Sequence, residues 1–212
     1  MALLLPLLVT VLERASGAAL VLGVALGFGA VSCARLVTTP APSDLGAIAV
    51  LPAHNRTGDD LFVDPPPLLP GVLGRAGPRV TVADLLTAEA RAHLERRGFR
   101  VAPPEISGAM APHDARDAAR IAGAAGWGGA ALYIEVKRWD PDVHSRPSYV
   151  MAAVDLVLVD PDGGEVLWEA HWPARAVPAG STGTVALGYP IAVRRLIADM
   201  TADLEPAKEV RS

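Results

Sequence analysis

The chain alternates short apolar runs with stretches in which apolar residues recur at helical spacing. Residues 46–52 form an apolar, partly β-branched run that stops at a proline, which predicts a buried strand, and residues 54–60 predict a turn. Thr81 and Asp84 have the spacing of a capping box, so a helix is expected to begin there. It should end at Gly98, because glycine readily adopts the conformation that closes a helix.

The later elements are predicted on the same grounds, a period of two for strands and a period of 3.6 for helices. They are, in order, a strand at 99–102, an alanine-rich helix at 113–126, a strand at 130–138, a hairpin of strands 149–159 and 165–172 around the turn 160–164, and a helix at 191–204. Residues 64–78 hold five prolines and three glycines, which predicts a long irregular loop.

This order of strands and helices predicts one α/β domain, an α/β sandwich with a mixed β-sheet flanked by helices. Alternation places Leu132, Ile134 and Val136 on one face of the sheet. The covered side of the hairpin is expected to hold Ala152, Val154, Leu156, Leu158, Val166, Trp168 and Ala170. If the strands are neighbours, the opposite face gathers four charged side chains, namely Glu135, Lys137, Asp155 and Glu169.

The amino terminus has the layout of an export signal. Residues 15–32 are uncharged, follow Arg14 and finish in small residues. The tetrapeptide Ala30-Val31-Ser32-Cys33 resembles the lipobox of bacterial lipoproteins, in which the cysteine thiol receives a diacylglyceryl group after cleavage. The resemblance implies that Cys33 is lipidated, and several acyl chains such as palmitate would anchor the protein stably to a membrane.

The chain is therefore interpreted as four parts. These are a signal peptide at 1–32, the lipidated cysteine and a tether at 33–45, the folded domain at 46–205 and a tail at 206–212. Ala34 follows Cys33 where an aspartate would favour the inner membrane, so we expect the periplasmic side of the outer membrane. The alternative is an uncleaved membrane-spanning helix, since residues 15–32 are nearly long enough to span.

Charge and cysteine content narrow the function classes. The formal net charge of −4 argues against nucleic-acid binding, which needs a basic face to replace counterions. A single cysteine rules out an internal disulfide or a multi-cysteine metal site, and the five histidines lack metal-ligand spacing. We therefore expect no cofactor and no metal.

Four segments carry a resemblance to a known group. Residues 48–59 resemble the opening strand of the amino-terminal domain of TolB and of relatives of CsgG. Residues 126–136, 154–160 and 164–169 resemble an outer-membrane lipoprotein family with that same TolB-like fold. The resemblance implies a periplasm-facing, non-enzymatic lipoprotein that works through protein contacts in envelope assembly or export. Expected partners are envelope or secretion proteins, or further copies of the chain as a homo-oligomer.

An enzyme remains the alternative function. His54 follows a predicted strand end, and Asp59 or Asp60 could serve as its acidic partner in a periplasmic hydrolase. The four charged side chains on the sheet could also supply an acid–base pair. Cross-strand pairing on a solvated face explains those four more simply.

Overall fold

The structure is a computed structural model that describes residues 36–37, 40–42, 45–59, 61–63, 80–106, 110–142, 148–180 and 185–207. The predictions made for the signal peptide, for Cys33, for Asp60 and for the loop at 64–78 lie outside these residues. None of the helices in the described ranges is both long enough and apolar enough to span a membrane.

A mixed sheet organises the described residues, as predicted from the element order. Its strands in spatial order are β1 (Leu36–Val37), β9 (Val166–Gly180), β8 (Ser148–Val159), β7 (Ala130–Asp142), β2 (Ala47–Val50) and β6 (Arg100–Val101), and β3 (His54–Asn55) also pairs with β7. β2 is parallel to both β6 and β7, whereas β7, β8, β9 and β1 pair antiparallel. Two short strands, β4 (Phe62–Val63) and β5 (Val80–Thr81), form a separate antiparallel pair.

Among the described residues, three helices flank the sheet, α1 (Val82–Arg96), α2 (Ala115–Ala124) and α3 (Val185–Met200). The capping box that opens α1 is confirmed, because Thr81 accepts from the backbone of Asp84 while the Asp84 carboxylate accepts from the backbone of Thr81. Gly98 follows the end of α1 with φ of +91°, as its predicted role requires. The last helix begins and ends earlier than predicted, and a turn at residues 201–203 replaces its expected last residues.

The larger core lies on one face of the sheet, beneath α1 and α3. Leu132, Ile134 and Val136 are fully buried there, which confirms the predicted alternation. Trp168 and Leu156 from the hairpin join them. The prediction for Val166 was wrong, since this residue is 41% exposed. A register shift between Leu158 and Val159 removes it from the alternation that its neighbours follow.

A smaller core lies on the opposite face, beneath α2. The helix approaches the sheet through Ala118, Ala119 and Ala122, and small side chains allow that close packing. Their partners on the sheet include Tyr133 and Val157. The next residues along these strands on the same face are Glu135 and Asp155, so a polar cluster begins where this apolar core ends.

Two segments interpreted as irregular contain strands. Residues 54–60 were predicted as a turn, but His54 and Asn55 form β3 and pair in parallel with Glu135 and Val136, with bends only at 57–59. Leu36 and Val37, within the interval interpreted as a tether, form β1 and pair with β9. Both strands are two residues long, too short to leave a periodic signal in the sequence.

Candidate functional site

Two buried carboxylates lie side by side on the face that α2 covers in part. Glu135 of β7 and Asp155 of β8 are direct cross-strand neighbours, and they are only 7% and 8% exposed. Like charges at opposed positions destabilise a sheet, and burial increases the cost of each charge. The arrangement therefore requires cations close to both carboxylates.

Two basic side chains meet this requirement. Arg56, just after β3, places Nη1 at 3.0 Å from Oε1 of Glu135. Lys137 lies between the carboxylates, with Nζ bonded to Oδ2 of Asp155 and 3.5 Å from Oε2 of Glu135. The hydrogen bond to Asp155 raises the pKa of Lys137, and the hydrogen bond to Glu135 raises the pKa of Arg56. Both side chains stay partly exposed, at 45% for Lys137 and 59% for Arg56.

His171 of β9 extends the cluster to a third carboxylate. Its Nδ1 is 3.0 Å from Oδ1 of Asp155, and its Nε2 is 3.2 Å from Oε1 of Glu169. The ring therefore bridges Asp155 and Glu169, and it can donate to both carboxylates at once only when both nitrogens carry a proton.

Tyr133 joins the cluster to the smaller core. Its hydroxyl oxygen lies 3.2 Å from three groups, Nδ1 of His54, Oε1 of Glu135 and the carbonyl oxygen of His113. One hydroxyl can donate only once, so His54 is suited to donate to it. Burial, reinforced by the neighbouring Glu135 charge, raises the pKa of Tyr133 above its usual value near 10. The rings of His54 and His113 meet edge to face with centroids 5.6 Å apart.

The sequence-predicted charged residues are thus brought together. Glu135, Lys137, Asp155 and Glu169 lie on the same face, and the last is linked to the others through His171. We call these residues, together with Arg56 and His171, the sheet-face cluster. Strand alternation could have found His171, which pairs opposite Asp155. Arg56 gave no such signal, because its position depends on the unforeseen strand β3.

The proposed hydrolase pair has a different environment from the one expected. His54 faces the phenol of Tyr133. The hydrogen bonds of Asp59 in the structure are made by its backbone, from its N–H to Thr57 and from Asn55 to its carbonyl. Within the described ranges, no group of three or more His, Cys, Asp or Glu side chains is arranged to hold a metal ion.

An open cavity of about 420 Å³ lies at the start of β2 and β7. Its charged lining residues are Arg100 and Asp160, beside the apolar Leu45, Trp127 and Leu167. The Asp160 carboxylate is engaged by backbone N–H groups of its own turn. The cavity does not assemble charged groups as the sheet-face cluster does, so the cluster is the stronger candidate site.

No family model matches the chain, and no curated protein matches it. The chain is similar in structure to the PelC dodecamer from Paraburkholderia phytofirmans, with 18% identity, coverage of 81% of this chain and 99% of that one, and a TM-score of 0.46. It is similar to the lipoprotein GNA1162 from Neisseria meningitidis, with 20% identity, coverage of 73% and 99%, and a TM-score of 0.39.

A third similar structure is the protein XCC0632 from Xanthomonas campestris, with 16% identity, coverage of 77% of this chain and 87% of that one, and a TM-score of 0.43. Identities of this size and TM-scores below 0.5 assign the chain to none of these proteins or their families.

Proposed function

We propose that the protein is a lipid-anchored lipoprotein on the periplasmic side of the outer membrane, which acts without catalysis through contacts with other envelope proteins. The observation that carries the proposal is the lipobox-like sequence ending at Cys33, followed within three residues by a strand of a folded sheet. An export signal, an acylation site and a domain then follow one another in the order that a lipoprotein requires.

The sheet-face cluster supports a contact role over a catalytic one. Each of its carboxylates is paired with a side chain of the same cluster, which is Arg56, Lys137 or His171, so no carboxylate of the cluster is left as an obvious general base. Mutual pairing fixes the positions of the side chains, and a fixed polar surface suits recognition. The partly exposed side chains of Arg56 and Lys137 could meet acidic groups on a partner. The TolB-like resemblance of the sequence suggests envelope assembly or export as the setting.

The anchoring part is tested by intact mass spectrometry of the full chain expressed in a bacterium, beside Cys33→Ala, with membrane fractionation of both. A mature chain that begins at Cys33, carries acyl mass and sediments with membranes supports the proposal. Loss of the acyl mass in the variant ties it to that thiol. An unprocessed, membrane-bound chain would instead favour the uncleaved helix.

The contact part is tested by site-specific photocrosslinking in cells. A photoreactive residue replaces Arg138, which is exposed beside the sheet-face cluster, and a matched one replaces Glu95, which is exposed on α1. A defined adduct with an envelope protein or with a second copy at position 138, absent at position 95, supports contact through this face. Equal or absent crosslinking at the two positions would contradict it.

A further inference from the structure

The position of β1 limits how far the sheet can lie from the lipid. Leu36 and Val37 pair with His171 and Ala170 of β9, so β1 forms one edge of the sheet. Cys33 precedes Leu36 by three residues. Three Cα–Cα steps span at most about 11 Å. If Cys33 carries the anchor, the Leu36 end of β1, which pairs with His171 of β9, is therefore held within about that distance of the membrane interface.

The outer part of β9 has a composition that suits such a position. Beyond its pairing with β1, the exposed residues of the strand are Pro173, Ala174, Ala176 and Pro178. We call these four residues the β9 rim. None of them is charged, and the two prolines lack the N–H that an added strand would require. The rim is therefore poorly suited to strand addition by another protein and better suited to lying against a surface.

The opposite edge of the sheet differs in both distance and charge. β6 lies five strand positions from β1, or about 24 Å at a spacing of about 4.8 Å. Arg100 of β6 is exposed, as are Glu95 and Arg96 at the end of α1, which packs on β6. Charged groups of both signs are expected where a protein faces water, so the two edges present different chemistry to their surroundings.

We propose that the domain lies with the β9 rim against the phospholipid headgroups and with the β6 edge directed away from the bilayer. This orientation rests on the lipid anchor of the proposed function. The occupant of the rim is the membrane surface itself, because the short connection to Cys33 leaves little space for a protein between them. Most members of the sheet-face cluster belong to β7, β8 and β9. In this orientation they lie close to the membrane, on a face of the sheet and not at the edge that meets the headgroups.

Fluorescence quenching of single labelled cysteines in vesicles tests the orientation. Cys33 is the only cysteine of the chain, and its acylated sulfur no longer reacts with thiol reagents, so an introduced cysteine is the one free thiol. Ala176→Cys reports on the β9 rim. Arg100→Cys is the control, at an exposed position of β6 on the opposite edge of the sheet. Pro178→Cys is a second rim reporter in case Ala176→Cys does not fold.

Each acylated variant is labelled with an environment-sensitive fluorophore and reconstituted in vesicles of phosphatidylethanolamine and phosphatidylglycerol that contain a nitroxide-headgroup lipid. We expect quenching at least about twofold stronger at the rim than at position 100, because collisional quenching needs near contact and the edges are about 24 Å apart. Equal quenching, or stronger quenching at position 100, in protein whose mass shows acylation would overturn the orientation alone. Protein that lacks acyl mass would overturn the anchor on which it rests.

Discussion

Replacing Lys137 with methionine should destabilise the domain because it removes the cation between two buried carboxylates. Glu135 and Asp155 are direct neighbours, and side chains at such positions lie about 5 Å apart. At an effective dielectric constant of about 20, two like charges at about 5 Å repel by about 3 kcal/mol. Arg56 remains to offset part of this repulsion, and the lysine side chain is 45% exposed.

We therefore expect Lys137→Met to lower the free energy of unfolding by about 1–2 kcal/mol at pH 7. The assay is urea unfolding followed by tryptophan fluorescence. Arg138→Met is the matched control, because Arg138 is the next residue but pairs with Asp140 at the surface, where both partners are at least half exposed. An exposed pair of this kind contributes about 0–1 kcal/mol.

The pH dependence of unfolding is a second test of the same variant. The raised pKa of Lys137 means that its stabilising contribution is complete below about pH 10.5 and is lost as the pH rises further, so the difference between wild type and Lys137→Met should shrink there. A variant as stable as wild type at pH 7, or a difference that grows above pH 10.5, would refute the electrostatic reasoning.

Three further perturbations test the fold and the site. Gly188→Ala should lower the stability of the protein in thermal unfolding by about 1 kcal/mol. The new Cβ would lie 2.5 Å from the carbonyl oxygen of Ala179, and this overpacking outweighs the gain in helix propensity. A more stable variant would contradict this packing. Thr81→Ala should cost about 1 kcal/mol in urea unfolding, because it removes the cap of α1 and its bond with Asp84, and an unchanged midpoint would count against the cap. The raised pKa of Tyr133 makes wild type lose stability as the pH rises above 10, and Tyr133→Phe should lose less between pH 9 and pH 11; identical losses would show that the phenol does not contribute.

The central strands could be predicted because side chains of different character alternate between their two faces. A period of two separates Leu132, Ile134 and Val136 from the residues between them, and the hairpin turn has its own local chemistry. Asp160 donates its N–H to Glu165, and Gly164 adopts a φ of +67° there. The charged face followed from the same alternation, since it requires only that β7, β8 and β9 are neighbours.

The rest depends on pairings between distant parts of the chain. β3 is polar and two residues long, and it forms because parallel pairing with β7 satisfies its backbone, so neither it nor the position of Arg56 has a local sequence signal. β1 lies within the segment interpreted as a tether, and it was missed for the same reason. Val166 shows the converse, because one register shift moved a residue that alternation had placed in the core.

The intact mass of the full-length protein from bacterial membranes, compared with that of Cys33→Ala, decides whether the protein is a lipoprotein. We expect a mature chain that begins at Cys33 and carries a diacylglyceryl group and a further acyl chain, with neither in the variant. A chain of full length without added mass, in membranes or in the soluble fraction, would contradict the lipoprotein assignment and the membrane orientation that depends on it.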